Sequence, residues 1–160
     1  MRNLAIDPYG DRKRTTWNCT GTLDAESGKY VYTADPNAHG ATLVPNPNSN
    51  TLPVGTRLVA VYTSDTPDDT SINFESCDER ELWQDTDTGL WVLSQRVSVI
   101  GNHNLWLTKV SLTLYGVAIW REEDWPNLRA LHDKGELPLL WSAPPRDTPT
   151  GVKAPAVLIP

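Results

Sequence analysis

No apolar run in this sequence approaches the roughly 18 residues that carry a helix across a bilayer. The opening MRNLAIDPYGDRKR also lacks the apolar stretch of a secretory signal. Cysteine is nearly missing: Cys19 and Cys77 are the only two. Neither sits in a C-x-x-C or Cys/His spacing, which argues against zinc, and two thiols do not make a disulfide scaffold. They are read as free buried thiols, with a Cys19–Cys77 bridge as the alternative. Clustered bases are scarce too. Arg12-Lys13-Arg14 is the one basic cluster, which argues against nucleic acid as a main ligand and leaves those bases for an acidic protein partner. The chain has no G-x-S-x-G, H-E-x-x-H, P-loop or G-x-G-x-x-G. No residue set spells out a reaction, a cofactor or a metal, and the chain is read as a non-enzyme.

Acids are concentrated rather than spread. Residues 65–87 hold nine acids and one base, a local charge of −8 against −6 for the whole chain, so the remainder is +2. The pairs Asp68-Asp69, Asp78-Glu79 and Glu122-Glu123 read as solvated turn and edge residues, because neighbours on a strand point to opposite faces. Charges of this kind also blunt sheet edges against aggregation. His39, His103 and His132 read as solvated surface histidines. Seven Trp and five Tyr stand against one Phe and one Met, a balance that suits half-buried or partner-contacting positions.

The patterning is that of strands. Thr15–Leu23 and Lys29–Thr33 form a hairpin around DAESG, where Gly28 supplies the left-handed turn residue and Asp24 bonds its own turn. Residues 35–55, with four Pro and four Asn, read as a long loop with a task. Strands follow at Arg57–Thr63 and Ile72–Phe74. Glu81–Gln84 and Leu90–Ile100 make a second hairpin around Asp85–Gly89, and Gly101–Asn104 is a tight turn. Leu105–Trp120 reads as one long strand with Trp106, Val110, Leu112, Leu114, Ala118 and Trp120 on one face, and Gly116 marks a bulge or bend. One short helix is predicted: Asp124 caps it, Pro126 lies in its first turn, Leu128 and Leu131 share a face, and Gly135 ends it. Glu136–Trp141 reads as an edge strand. The fold class is therefore mostly β, an antiparallel β-sandwich or β-barrel spanning 15–141 with one short helix. It is flanked by an extended arm at 1–14 and a Pro-rich tail at 142–160.

The stretch DAESGKYV at 24–31 returns sixty-one residues later as DTDTGLWV at 85–92. It reads as one hairpin turn used twice. Calcium requires six to eight oxygens, and an EF-hand loop ends in a distal Glu that is missing here. Trp83 and Trp91 flank the second turn beside Gln84, Asp85 and Asp87. They are either a cross-strand aromatic pair or a surface on which a sugar ring stacks.

The arm MRNLAIDPYGDRKR, the hairpins around DAESG and DTDTG, and the tail SAPPRDTPTGVKAPAVLIP together resemble, in overall character, small bacteriophage virion proteins: head decoration (cement) proteins or small tail and connector components. The resemblance implies a non-enzymatic structural protein present in many copies in the virion. Its partners would be other virion proteins, such as the major capsid protein, and further copies of itself. The contacts would come from Arg12, Lys13 and Arg14 of the arm and Val157, Leu158 and Ile159 of the tail. The alternative is a carbohydrate-binding β-module that uses Trp83, Asp85, Asp87 and Trp91.

Overall fold

The computed structural model describes residues 19–23, 30–35, 41–43, 52–66, 71–86, 88–108 and 110–136. They form β1 (Cys19–Leu23), β2 (Tyr30–Ala34), β3 (Ala41–Leu43), β4 (Arg57–Ser64), β5 (Ile72–Phe74), β6 (Cys77–Gln84), β7 (Trp91–Val97), β8 (Leu105–Leu107), β9 (Ser111–Trp120) and α1 (Trp125–Asp133). All the pairings are antiparallel. A six-stranded sheet runs β1-β2-β9-β4-β7-β6, and a three-stranded sheet runs β3-β8-β5. The large sheet stays open, with β1 and β6 at its ends, so the architecture is sandwich-like and not a closed barrel. No helix among the described residues is long and apolar enough to cross a membrane.

The large sheet is covered on both faces. Leu58, Ala60, Tyr62, Leu93, Leu112, Leu114, Val117 and Ile119 pack with Ile72, Phe74, Leu105 and Leu107 of the small sheet. On the opposite face Val59, Val61, Val92, Ala118 and Trp120 pack against Trp125 and Leu128 of α1. A central strand buried on both faces needs no polar alternation, and β4 accordingly buries the consecutive residues Arg57 to Tyr62. The predicted hairpins form: Leu23 stands opposite Tyr30 in the first and Gln84 opposite Trp91 in the second. The loop at 24–29, with Asp24 and Gly28, lies outside the described residues.

Several expectations are corrected. The Pro/Asn loop contains a strand, β3, whose three residues pair with β8; three residues are too few to leave a periodic signal. The predicted single strand 105–120 is two strands in different sheets. Val110 lies between β8 in the small sheet and β9 in the large one, so residues 101–104 turn into the other sheet instead of closing a hairpin. The predicted single face of β9 also splits. The register on β4 jumps between Val61↔Gly116 and Tyr62↔Leu114, leaving Tyr115 as an extra residue. This is the bulge that Gly116 marked. Before it Leu112 and Leu114 face the small sheet; after it Val117 and Ile119 do, while Ala118 and Trp120 face the helix. One inserted residue exchanges the parity of everything beyond it.

β6 begins at Cys77, earlier than the pattern indicated. A second bulge hides its period: two residues, Glu79 and Arg80, span the gap that Gln95 alone spans on β7, with Glu79 at φ 43. Helix α1 stands where predicted. Pro lies in its first turn and Gly135 follows it at φ 72, the left-handed stop that glycine adopts without strain. Asp124 occupies the N-cap position but makes no side-chain cap bond. What fixes the helix is packing: Trp125 and Leu128 are buried, at about 1.5–3 kcal/mol for each such side chain. The predicted strand 136–141 lies, beyond Glu136, outside the described residues.

Candidate functional site

The second acidic hairpin is a turn held together by its own first residue. Asp85 is 3 % exposed. Its Oδ1 accepts 2.8 Å bonds from the backbone N–H and the hydroxyl of Thr88. Its backbone N–H donates to Leu90 O, and Gly89 N–H donates back to Asp85 O, both at 2.8 Å. Gly89, at φ 72, closes the loop. Asp85 is therefore consumed by turn geometry, and no metal-holding cluster of His, Cys, Asp and Glu occurs among the described residues. Asp87 lies outside the described residues, as do Arg12, Lys13, Arg14, Val157, Leu158 and Ile159.

Trp83 and Trp91 do not share a surface. Trp83 stands opposite Val92, and Trp91 opposite Gln84. A step of one residue along a strand reverses the face. Trp83 packs on the helix side and Trp91 on the small-sheet side. They form neither a cross-strand pair nor one stacking platform.

The structure instead brings Trp83 and Asp85 to His132, forty-nine and forty-seven residues further along the chain. Trp83 Nε1–H donates to His132 Nε2 at 2.9 Å, and His132 Nδ1 lies 3.9 Å from Asp85 Oδ2. Arg129, one helical turn before His132, lays its guanidinium over the Trp83 ring at 4.1 Å. An indole N–H only donates, so Nε2 accepts and carries no proton, and the proton of the neutral ring is on Nδ1, towards Asp85. A carboxylate behind an imidazole is the arrangement used for general-base chemistry. Here the nitrogen that would receive a substrate proton is occupied by Trp83, so the trio works as a clip between hairpin and helix. His132 is thus not a solvated surface histidine. The i, i+4 step from buried Leu128 was the signal in the sequence that it turns inward.

Three acids of the 65–87 segment, Asp78, Glu79 and Glu81, meet arginines from elsewhere. Arg96 of β7 reaches Glu122 at 3.3 Å and both Asp78 and Glu79 at 3.8 Å. Arg57 of β4 pairs with Glu79 and, at 3.7 Å, with Glu81. Arg129 joins Glu81 at 3.0 Å to Asp133 at 2.9 Å. The result is a continuous seam of alternating charge from Glu122 to Asp133, built from three strands, the turn before α1 and α1 itself. Asp78, Glu79 and Glu122 are exposed, as the sequence indicated, but they are paired, and exposed pairs contribute about 0–1 kcal/mol each. Arg57 is the exception. Its side chain is 10 % exposed, it donates to Glu79 O at 3.2 Å, and it lies 5.5 Å from the centre of the Trp125 ring.

His103 is also not on the surface. It is 1 % exposed, with Nδ1 3.2 Å from Glu75 O; a carbonyl only accepts, so Nδ1 donates. Cys77 has a free thiol. Burial, and then the Asp78 carboxylate beside it, push that thiol up to about 12, which keeps it protonated and a poor nucleophile. The side chain of Cys19 lies outside the described residues. Among the described residues, shallow clefts open between Leu52–Thr56 and Arg121–Glu123, of about 300 Å³, and at Thr63–Asp65 and Ser111–Thr113, of about 260 Å³. Neither contains Trp83, His132 or Trp91.

Comparison with protein-family models, with curated proteins and with solved structures finds no match to this chain.

Proposed function

We propose that this protein is a non-enzymatic structural component of a phage particle, a decoration or small tail or connector protein that docks on neighbouring subunits. The observation that carries the reading is an apolar pair left in the open. Val99 and Ile100, adjacent in the bend that follows β7, are 55 % and 74 % exposed, on a core that turns its charges towards one another. Polar residues are the usual occupants of such a loop, and contiguous exposed apolar side chains mark contact sites. The long segments at 1–14 and 142–160, on which the resemblance to small virion proteins rests, supply further contact surface. An arm that orders on docking loses conformational entropy but buries a long strip. Many weak copies around a closed shell add through avidity. The alternative, a glycan-binding module, needs aromatic faces on one surface, and Trp83 and Trp91 lie on two.

The test is removal of residues 142–160. Self-association, followed by sedimentation velocity, is expected to weaken while the thermal midpoint of the β domain stays close to that of the full chain. A truncation that unfolds the domain while leaving assembly intact refutes the proposal.

A further inference from the structure

The large apolar side chains left exposed among the described residues are Val54, Val99 and Ile100, and they stand at one end of the large sheet. Gly55 N–H donates to Val97 O at 2.9 Å, and Val97 N–H donates to Thr56 O at 2.8 Å. The segment before β4 therefore runs beside the end of β7 and sets Val54 next to the bend that carries Val99 and Ile100. Pro53, also exposed, and Val54 continue into the cleft of about 300 Å³. The opposite wall of that cleft is Arg121-Glu122-Glu123, one base against two acids. The surface is an apolar strip with an acidic border. An apolar segment that covers such a strip releases its water, and the border favours a base at one end of that segment.

The chain itself carries a segment of this chemistry, outside the described residues. Val152-Lys153-Ala154-Pro155-Ala156-Val157-Leu158-Ile159 holds one base and no acid, and the base is followed by an apolar run. We infer that residues 152–159 of a second copy occupy the strip at Val54, Val99 and Ile100, with Lys153 towards Glu122 and Glu123. The inference rests on the reading of the protein as a subunit that associates, and it names the contact. Spacing decides between a copy's own segment and its neighbour's. Residues 137–151 include Pro138, Pro144, Pro145 and Pro149. A proline-rich spacer is semi-rigid and spans about 3.1 Å per residue, roughly 45 Å over this stretch. A domain of this size has a radius of gyration of roughly 13 Å and is roughly 35 Å across. An extended spacer thus carries the segment past its own domain and towards a neighbour's strip. Each copy offers one strip and one segment, so the contact is head-to-tail.

The experiment is sedimentation velocity on the full chain, on Ile100→Asp and on Leu158→Asp, each alone and then with the two variants mixed in equal amounts. Ile100→Asp spoils the strip and keeps the segment, and Leu158→Asp does the reverse. The wild-type chain is expected to form an oligomer. Each variant alone is expected to associate at least tenfold more weakly, the loss that one unburied aliphatic side chain represents. The mixture is expected to recover a 1:1 pair, held by its one intact junction. Val54→Asp takes the place of Ile100→Asp if the latter does not keep the wild-type thermal midpoint. An oligomer that persists in either variant, or a mixture that stays monomeric, overturns this contact and leaves the reading as an associating subunit in place. A wild-type chain that is monomeric at every concentration overturns both, and protection of residues 152–159 from protease would then make the copy's own segment the occupant.

Discussion

Deleting one residue from a central strand ordinarily turns every side chain beyond it to the wrong face. At Tyr115 the deletion is expected to leave the faces intact. Tyr115 is the extra residue of the β9 bulge, and both flanking pairs, Tyr62↔Leu114 and Val61↔Gly116, survive its removal. Leu112, Leu114, Val117 and Ile119 then still face the small sheet, and Ala118 and Trp120 still face α1. The loss is the half-buried tyrosine itself, about 1–2 kcal/mol from its share of aromatic burial. The control is deletion of Ala118. It would move Ile119 and Trp120, which are 3 % and 0 % exposed, to opposite faces. That forfeits about 2–5 kcal/mol for the isoleucine and about 3–5 for the tryptophan, against a total stability of about 5–15 for an ordinary domain. Urea denaturation followed by tryptophan fluorescence reads both variants. The Tyr115 deletion is expected to unfold cooperatively at a modestly lower midpoint, and the Ala118 deletion to show no native baseline. If both lose the native baseline, or if the Ala118 deletion matches the full chain, the bulge does not set the parity of β9.

Two further outcomes follow from the side-chain environments. Trp83→Phe is expected to cost about 1 kcal/mol more, the net value of one hydrogen bond, in the full chain than in a His132→Leu background. Urea midpoints of the four proteins measure this coupling, and equal costs in both backgrounds would remove the Trp83–His132 bond from the account. Burial pushes Tyr62 and Cys77 each up to about 12, from 10.0 and 9.0. Both groups therefore stay neutral in the folded chain while the unfolded chain ionises. Their contribution to stability is complete below pH 9 and declines as the pH rises towards 12. A thermal midpoint that is flat from pH 9 to 11.5 would contradict this.

The parts of the fold that were legible in the sequence have strong local causes. β4 is a continuous apolar run, Gly89 and Gly135 supply left-handed turn residues, and Leu128 and Leu131 recur at helical spacing. The parts that were not legible depend on contacts between distant segments. β3 pairs with β8, more than sixty residues further along the chain. The bulges at Tyr115 and at Glu79-Arg80 break the period on which a strand is recognised. The pairing of Asp78, Glu79 and Glu81 was hidden because their arginines, Arg57, Arg96 and Arg129, come from β4, β7 and α1. Trp83 and Asp85 lie together beside His132 and not on a surface shared with Trp91, which strand alternation puts on the other face. Their partner, His132, lies on a helix docked through Trp125 and Leu128, more than forty residues further along the chain.

The central proposal, a component made to assemble, is tested most directly by the mass of the purified full chain in solution, with limited proteolysis of the same sample. The predicted result is a discrete oligomer whose mass falls on dilution, with the segments at 1–14 and 142–160 cut well before the β domain. A monomer at every concentration, with both segments as resistant to protease as β4 and β9, would contradict it.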